Sequence, residues 1–152
     1  MYSVTKRIDF CYGHRLLEYD GICKHPHGHN AVAEVEVRAE SLDAREMVCD
    51  FSEIKRVIKG WIDRKLDHKM ILRHDDPLLE PLQQLDEPVF VVDNNPTVEH
   101  IAQLIFDQAR NEGFPVVRVT VWETPTSFAT YGPPEPADTK PASVPSTSTV
   151  LR

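Results

Sequence analysis

The stretch Tyr2-Ser3-Val4-Thr5-Lys6-Arg7-Ile8-Asp9-Phe10-Cys11-Tyr12-Gly13-His14 alternates with a period of two. Tyr2, Val4, Ile8, Phe10 and Tyr12 share one face, and Ser3, Thr5, Arg7, Asp9 and Cys11 the other, with Lys6 the one exception. Successive side chains of a strand point to opposite sides, so the pattern predicts a half-buried strand. A loop with Asp20-Gly21 and Pro26 follows. A second strand begins near His29, with Ala31, Ala33, Val35 and Val37 on one face and Glu34, Glu36 and Arg38 opposite.

Further along, the period changes. Asp50-Phe51-Ser52-Glu53 reads as a helix start with Asp50 as cap. Ile54, Val57, Ile58, Trp61, Ile62 and Leu66 follow at helical spacing. Leu78 to Pro88 is acidic and interrupted by prolines, which predicts a loop, and Val89 to Val92 predicts a short strand. A second helix starts at Asn95-Pro96-Thr97, capped by Thr97, with Val98, Ile101, Ala102, Ile105 and Ala109 as its apolar stripe. A last strand alternates Val117, Val119 and Val121 against Arg118, Thr120 and Trp122. These elements predict an α+β domain over residues 1–131: a four-stranded antiparallel sheet with two helices on its apolar face. Residues 132–152 are rich in Pro, Ser and Thr and predict a disordered tail.

Composition narrows the function classes. The 152 residues are 41% hydrophobic and 27% charged, as in an ordinary globular domain. A net charge of -7 argues against a nucleic-acid or anionic-membrane partner. No apolar run approaches the roughly 20 residues of a membrane span, and the N-terminal residues lack a signal-peptide core. Three cysteines fit no disulfide framework, and the expectation is a reduced, cytoplasmic protein.

Seven histidines are present, and three stand out. His27-Gly28-His29 opens the second strand, where residues i and i+2 project to the same side. His14 continues the even-numbered face of the first strand. Antiparallel pairing of the two strands brings all three histidines to one end of the sheet, on its apolar side. Three nitrogen donors with an open fourth position match a catalytic zinc site.

Other residues carry open readings. Cys23 lies four residues before His27, and it is a fourth metal ligand, a free thiolate beside the metal, or a small apolar loop residue. Cys11 and Cys49 read only as small apolar residues. Asp67-His68 follows the first helix and is an oriented acid–base pair or a surface helix end. Glu123 stands in phase with the valine row of the last strand. A carboxylate there needs a partner, either structural or a ligand that donates hydrogen bonds.

These segments together resemble the 6-pyruvoyl-tetrahydropterin / 6-carboxytetrahydropterin synthase family. The matching pieces are Phe10 to His14, Cys23-Lys24-His25-Pro26-His27-Gly28-His29, Cys49-Asp50-Phe51, Leu66-Asp67-His68, Asn95-Pro96-Thr97-Val98-Glu99, and Glu123-Thr124 with Tyr131, in family order across residues 2–131. The resemblance implies a tunnelling fold whose sheets join between subunits into a barrel, as a homo-oligomer, a hexamer of two stacked trimers. It implies zinc on His14, His27 and His29, Cys23 as catalytic thiol working with Asp67 and His68, and Glu123 as the anchor of a pterin ring. The implied substrate is 7,8-dihydroneopterin triphosphate. Three residues between Cys23 and the His-Gly-His run match the carboxy-forming enzymes of queuosine-type deazapurine synthesis, which release acetaldehyde and triphosphate. The alternatives are a pyruvoyl-forming synthase and a non-catalytic zinc-stabilised binding module. The chain departs from the family pattern where Leu72 is followed by Arg73, and residues 73–88 and the tail look like additions.

The strand order expected from sequence carries one further consequence. If the last strand continues a simple up-and-down order, it runs away from the histidine end. Glu123 then sits far from the metal of its own chain and serves a site built with another subunit.

Overall fold

The structure, a computed structural model, describes residues 1–133. The residues 134–152 that make up nearly all of the expected tail lie outside the described residues. Strands β1 (Tyr2–His14), β2 (His27–Ala39), β3 (Lys69–Arg73), β4 (Val89–Val92), β5 (Val116–Thr124) and β6 (Ser127–Tyr131) form one sheet. Its spatial order is β4-β3-β1-β2-β5-β6. The helices are α1 (Phe51–Ile54), continued through a π-helical turn at Lys55–Lys59 into α2 (Gly60–Lys65), then α3 (Leu79–Gln84) and α4 (Val98–Asn111).

The centre of the sheet follows the sequence pattern. β1 and β2 pair antiparallel over their full length, with Phe10 opposite Ala31, Tyr12 opposite His29 and His14 opposite His27. Ile8, Phe10, Tyr12, Ala31, Ala33, Val35 and Val37 are buried on the face that α1, the π-helical turn, α2 and α4 cover with Ile54, Ile58, Ile62, Ile101 and Ile105. Burial of apolar surface between these layers is the main source of stability. Asp50 caps α1 by accepting from the Ser52 N–H at 2.7 Å. Thr97 caps α4 through the His100 N–H.

Four expectations need correction. β2 begins at His27, two residues before the start expected from its apolar alternation, and both histidines of the His-Gly-His run lie in the strand as their i, i+2 spacing requires. The sheet has six strands, and it is mixed: β3 runs parallel to both β1 and β4. Strand β3 shows no alternation because Ile71 and Leu72 are both fully buried, which erases the period-two signal. Strand β6 is a short edge strand joined to β5 by a tight hairpin, with Thr124 opposite Ser127. Finally, α3 occupies the segment expected to be loop; Pro81 falls in its first turn, where a missing N–H costs no helical bond.

The face of the sheet away from the helices is polar, yet one of its carboxylates is buried. Glu36 accepts from Arg38 and from Arg118. Burial alone would raise its pKa, but the two guanidinium groups prevail and hold it below the usual carboxylate range.

Candidate metal centre and active site

Regular strand geometry builds the centre. In the antiparallel pair, His14 lies directly opposite His27, and His29 follows two residues on, along the same face. The crossing point between them is Gly13 opposite Gly28. A Cβ on Gly28 would sit 3.0 Å from the Tyr12 carbonyl oxygen, so a side chain here would push the histidine-bearing strand ends apart. The loop after β1 is fixed from both sides. Arg15 forms an ion pair with Asp76, whose side chain is fully buried. The Asn95 side chain bonds both the N–H and the carbonyl of Leu17 at 2.9 and 2.8 Å. This zipper brings the Pro96 carbonyl to His14.

The three rings converge on their Nε2 atoms. His14 Nε2 lies 3.0 Å from His27 Nε2 and 3.1 Å from His29 Nε2. The other nitrogens are already engaged: His14 Nδ1 lies 2.7 Å from the Pro96 carbonyl oxygen and His27 Nδ1 lies 2.8 Å from the His25 carbonyl oxygen. A carbonyl oxygen only accepts, so both Nδ1 atoms carry the proton and both Nε2 atoms present lone pairs. Two lone pairs at 3.0 Å repel unless a cation lies between them. Nitrogens bound to one zinc at tetrahedral angles stand roughly 3.3 Å apart, close to the spacing here. Burial, more than any neighbouring charge, lowers the His14 pKa and favours the neutral ring that a metal needs. The donor set therefore fits zinc, with carbonyls orienting the rings from behind.

Glu123 stands beside this cluster, in the same chain. Its Oε1 lies 3.7 Å from His14 Nε2 and 3.8 Å from His29 Nε2, and accepts a 2.6 Å hydrogen bond from the Tyr12 hydroxyl. The expected separation of Glu123 from its own histidines is thus wrong. The reason is strand order: β5 pairs antiparallel with β2 itself, Val32 opposite Trp122, and so runs back toward the histidine end. Tyr12 was legible in sequence only as a core residue. Its pKa is raised, first by burial and then by Glu123, so the hydroxyl stays a proton donor to that carboxylate.

The remaining candidates are distributed differently. Cys23 lies in a 3-10 turn (Ile22–Lys24), half-buried, and its carbonyl accepts from Leu16 N–H. It does not join the group of donors formed by His14, His27 and His29. Asp67 and His68 occupy the turn between α2 and β3. Burial opposes the ionised form of Asp67, but the Cys11 N–H and the His68 ring hold its pKa below the usual range. His68 lies in a cleft of about 740 Å³ that also exposes Cys11, His27, His29 and Lys69. Cys23 is not among the residues lining that cleft. Leu82, Leu85 and Glu87, from the segment expected to be loop, form one wall.

A fold of this sheet order with a three-histidine centre at the β1–β2 end defines a class, and comparison with known proteins identifies it. The profile of 6-pyruvoyl tetrahydropterin synthase matches residues 3–134. The chain is 37% identical over 141 residues to 6-carboxy-5,6,7,8-tetrahydropterin synthase of Rickettsia conorii, covering 84% of this chain and 98% of that protein. It is 32% identical over 139 residues to the enzyme of the same name from Haemophilus influenzae, covering 86% and 99%. Among solved structures, an uncharacterised protein of Wolinella succinogenes superposes with a TM-score of 0.73 at 29% identity, covering 87% of this chain and 98% of that one. The 6-pyruvoyl tetrahydropterin synthase of Caenorhabditis elegans superposes with a TM-score of 0.66 at 25% identity, covering 86% and 94%. The chain belongs to the 6-pyruvoyl tetrahydropterin synthase family, and its α+β architecture is the tunnelling fold, with six strands in place of the expected four.

Proposed function

We propose that the chain is a zinc-dependent 6-carboxy-5,6,7,8-tetrahydropterin synthase acting on 7,8-dihydroneopterin triphosphate, with release of acetaldehyde and triphosphate, in a deazapurine pathway of the queuosine type. The observation that carries the zinc is the meeting of the His14, His27 and His29 Nε2 lone pairs, two of them fixed by carbonyl acceptors on Nδ1. The relatives of the same name, at 32% to 37% identity over nearly their whole length, support the carboxy-forming product.

Bound at the three histidines, zinc would supply Lewis acidity toward the hydroxyl oxygens of the substrate side chain. The protein's own groups have the following roles. Cys23 and His68 move protons between carbon and oxygen positions of that side chain, with Asp67 orienting the His68 ring through the 2.8 Å contact to Nδ1. Glu123 anchors the pterin: one oxygen is taken by Tyr12, and the other remains for the N–H edge of the ring.

The proposal includes a ring-shaped homo-oligomer, a hexamer of two stacked trimers, in a cytoplasmic setting. The three cysteines are free thiols, in keeping with a reducing compartment. Strands β4 and β6 are the two open edges of the sheet and expose Val91 and Phe128; pairing between copies would remove these edges. Cys23 and the Asp67–His68 pair do not meet in one chain's cleft, which favours a site completed between subunits. No helix among the described residues is long and apolar enough to cross a membrane.

Two experiments test the reading. Incubation with 7,8-dihydroneopterin triphosphate should yield the carboxy product and one acetaldehyde per turnover; a pyruvoyl product without acetaldehyde would reassign the reaction. Inactive Cys23→Ala and His68→Ala subunits, dissociated and reassembled together, should recover part of the activity. His27→Ala mixed with Glu123→Ala should recover none, because those two residues serve the same chain's centre. Failure of the first mixture to recover activity would return the whole site to one subunit.

A further inference from the structure

Cys11, Asp67 and His68 form a second cluster of donors, distinct from the three histidines. A sulfur, a carboxylate oxygen and an imidazole nitrogen, one from each, all lie within 4.8 Å of one another. The backbone holds them in place. The Cys11 N–H donates to Asp67 Oδ1 at 2.8 Å, and the His68 N–H donates to the Cys11 carbonyl at 2.7 Å. The two chain segments are neighbours because β3 runs parallel to β1, with Tyr12 opposite Lys69. His68 has a φ of 57°, a left-handed conformation that residues other than glycine hold only where their surroundings impose it. The thiol takes no part in any of these bonds.

We propose that Cys11, Asp67 and His68 form a second, exchangeable site for a soft divalent metal of the zinc type. Thiolate, imidazole and carboxylate together are a donor set that suits zinc. Bonds of about 2.3 Å to sulfur and about 2.1 Å to nitrogen or oxygen separate two donors of one zinc by roughly 3.6 Å, inside the observed limit. A thiol–imidazole nucleophile would instead need its sulfur bonded to the ring. The site opens on the same cleft as His27 and His29, so metal can enter. The His68 side chain is 78% exposed and that of Asp67 24%, against 4% for His14 and 16% for His29. Water therefore competes at the second site far more than at the first, and the second metal exchanges more readily. On binding, the Cys11 thiol proton leaves to solvent and the sulfur bonds the metal.

The inference goes beyond the proposed function but touches it at one point. Given the proton-transfer role proposed for His68, metal bound there withdraws the ring from turnover, so metal above one equivalent per chain inhibits.

Cobalt(II) titration of the metal-free protein tests the site, because the triad has only nitrogen donors and a sulfur-to-cobalt charge-transfer band reports a thiolate ligand. The expected result is two equivalents bound, with the sulfur band growing in with the second. Cys11→Ser should lose the second equivalent and the band. Cys23→Ser should keep both, and His27→Ala should lose the first equivalent while keeping the band. Should Cys11→Ser fold poorly by circular dichroism, Cys11→Ala is titrated in its place. A single equivalent in the wild type, two equivalents without a sulfur band, or a band that survives loss of the Cys11 thiol would each overturn the proposal. A band lost in Cys23→Ser would overturn it as well and would make the triad a closed site with a thiolate ligand. In the wild type, but not in Cys11→Ser, zinc beyond the first equivalent should lower turnover. If the second equivalent binds without inhibition, the metal site stands and the role of His68 falls.

Discussion

His14 and Cys11 stand three residues apart on β1, and the period of two sends them to opposite faces. The even face leads to a more shielded centre of three identical rings, two of which, His14 and His27, are held by backbone carbonyls. The odd face leads to a solvent-open cluster of three different donors held by a strained turn. One cluster is built by a ladder that the alternation of β1 and β2 dictates. The other depends on a contact between β1 and the distant turn at Asp67–His68. The difference teaches that the same strand can carry a site that is robust to local change and one that depends on tertiary placement.

The largest effect should come from the shielded side. His27→Ala removes one of three nitrogen donors, and both triad metal and turnover should vanish together; metal analysis and a rate assay check this. Stoichiometric triad metal with full turnover would remove the centre from the mechanism. Cys23→Ala should keep the triad metal and the fold yet lose about 10²- to 10⁴-fold in rate, the range for a positioned proton-transfer group. Loss of metal in this variant would make Cys23 a ligand. His68→Asn sharpens the contrast, because asparagine tolerates the left-handed backbone and only the ring is lost. Its rate should fall by about 10²-fold or more with the triad metal unchanged; a wild-type rate would reduce His68 to a surface residue.

Two smaller effects test the surroundings. Tyr12→Phe keeps the ring and deletes the hydroxyl that donates to Glu123. It should cost about 1–3 kcal/mol in denaturant unfolding, the penalty for leaving a buried polar partner unmatched. An unchanged midpoint would mean that water replaces the bond. Glu36 bears on pH. Its pKa is depressed in the folded chain, so the stability it contributes is present above the ordinary carboxylate value and lost as pH falls through the folded value. Melting temperatures measured from about pH 5 down to pH 3 should therefore drop more steeply for the wild type than for Glu36→Gln. Parallel curves would show that the two arginines contribute nothing through this carboxylate.

How much of this was legible in the sequence follows the same division. The alternation of β1 and β2 located His14, His27 and His29 on one face, and the helix stripes located the core, because each rests on neighbours in sequence. The place of Glu123 was not legible: it depends on β5 lying beside β2, and strand order is settled by packing. Strand β3 escaped notice because full burial of Ile71 and Leu72 removes the polar half of its pattern. The role of Cys11 was hidden for a related reason, since its partners lie 56 residues away and meet it only through a parallel pairing. The Asn95-Pro96-Thr97 run announced a helix start but gave no sign that its carbonyl would reach His14.

That last contact links two parts of the molecule that seem unrelated. Pro96 holds the ring of His14, and the next residue, Thr97, begins a helix of 14 residues. Freedom of the ring is therefore freedom of the first turn of α4. A metal bound to His14 acts as a rivet for that helix, and its release should be felt as faster amide exchange at Ile101 and Ala102, whose N–H groups close the first helical bonds. The occupancy of the centre can then be followed from a helix that contributes no ligand to it.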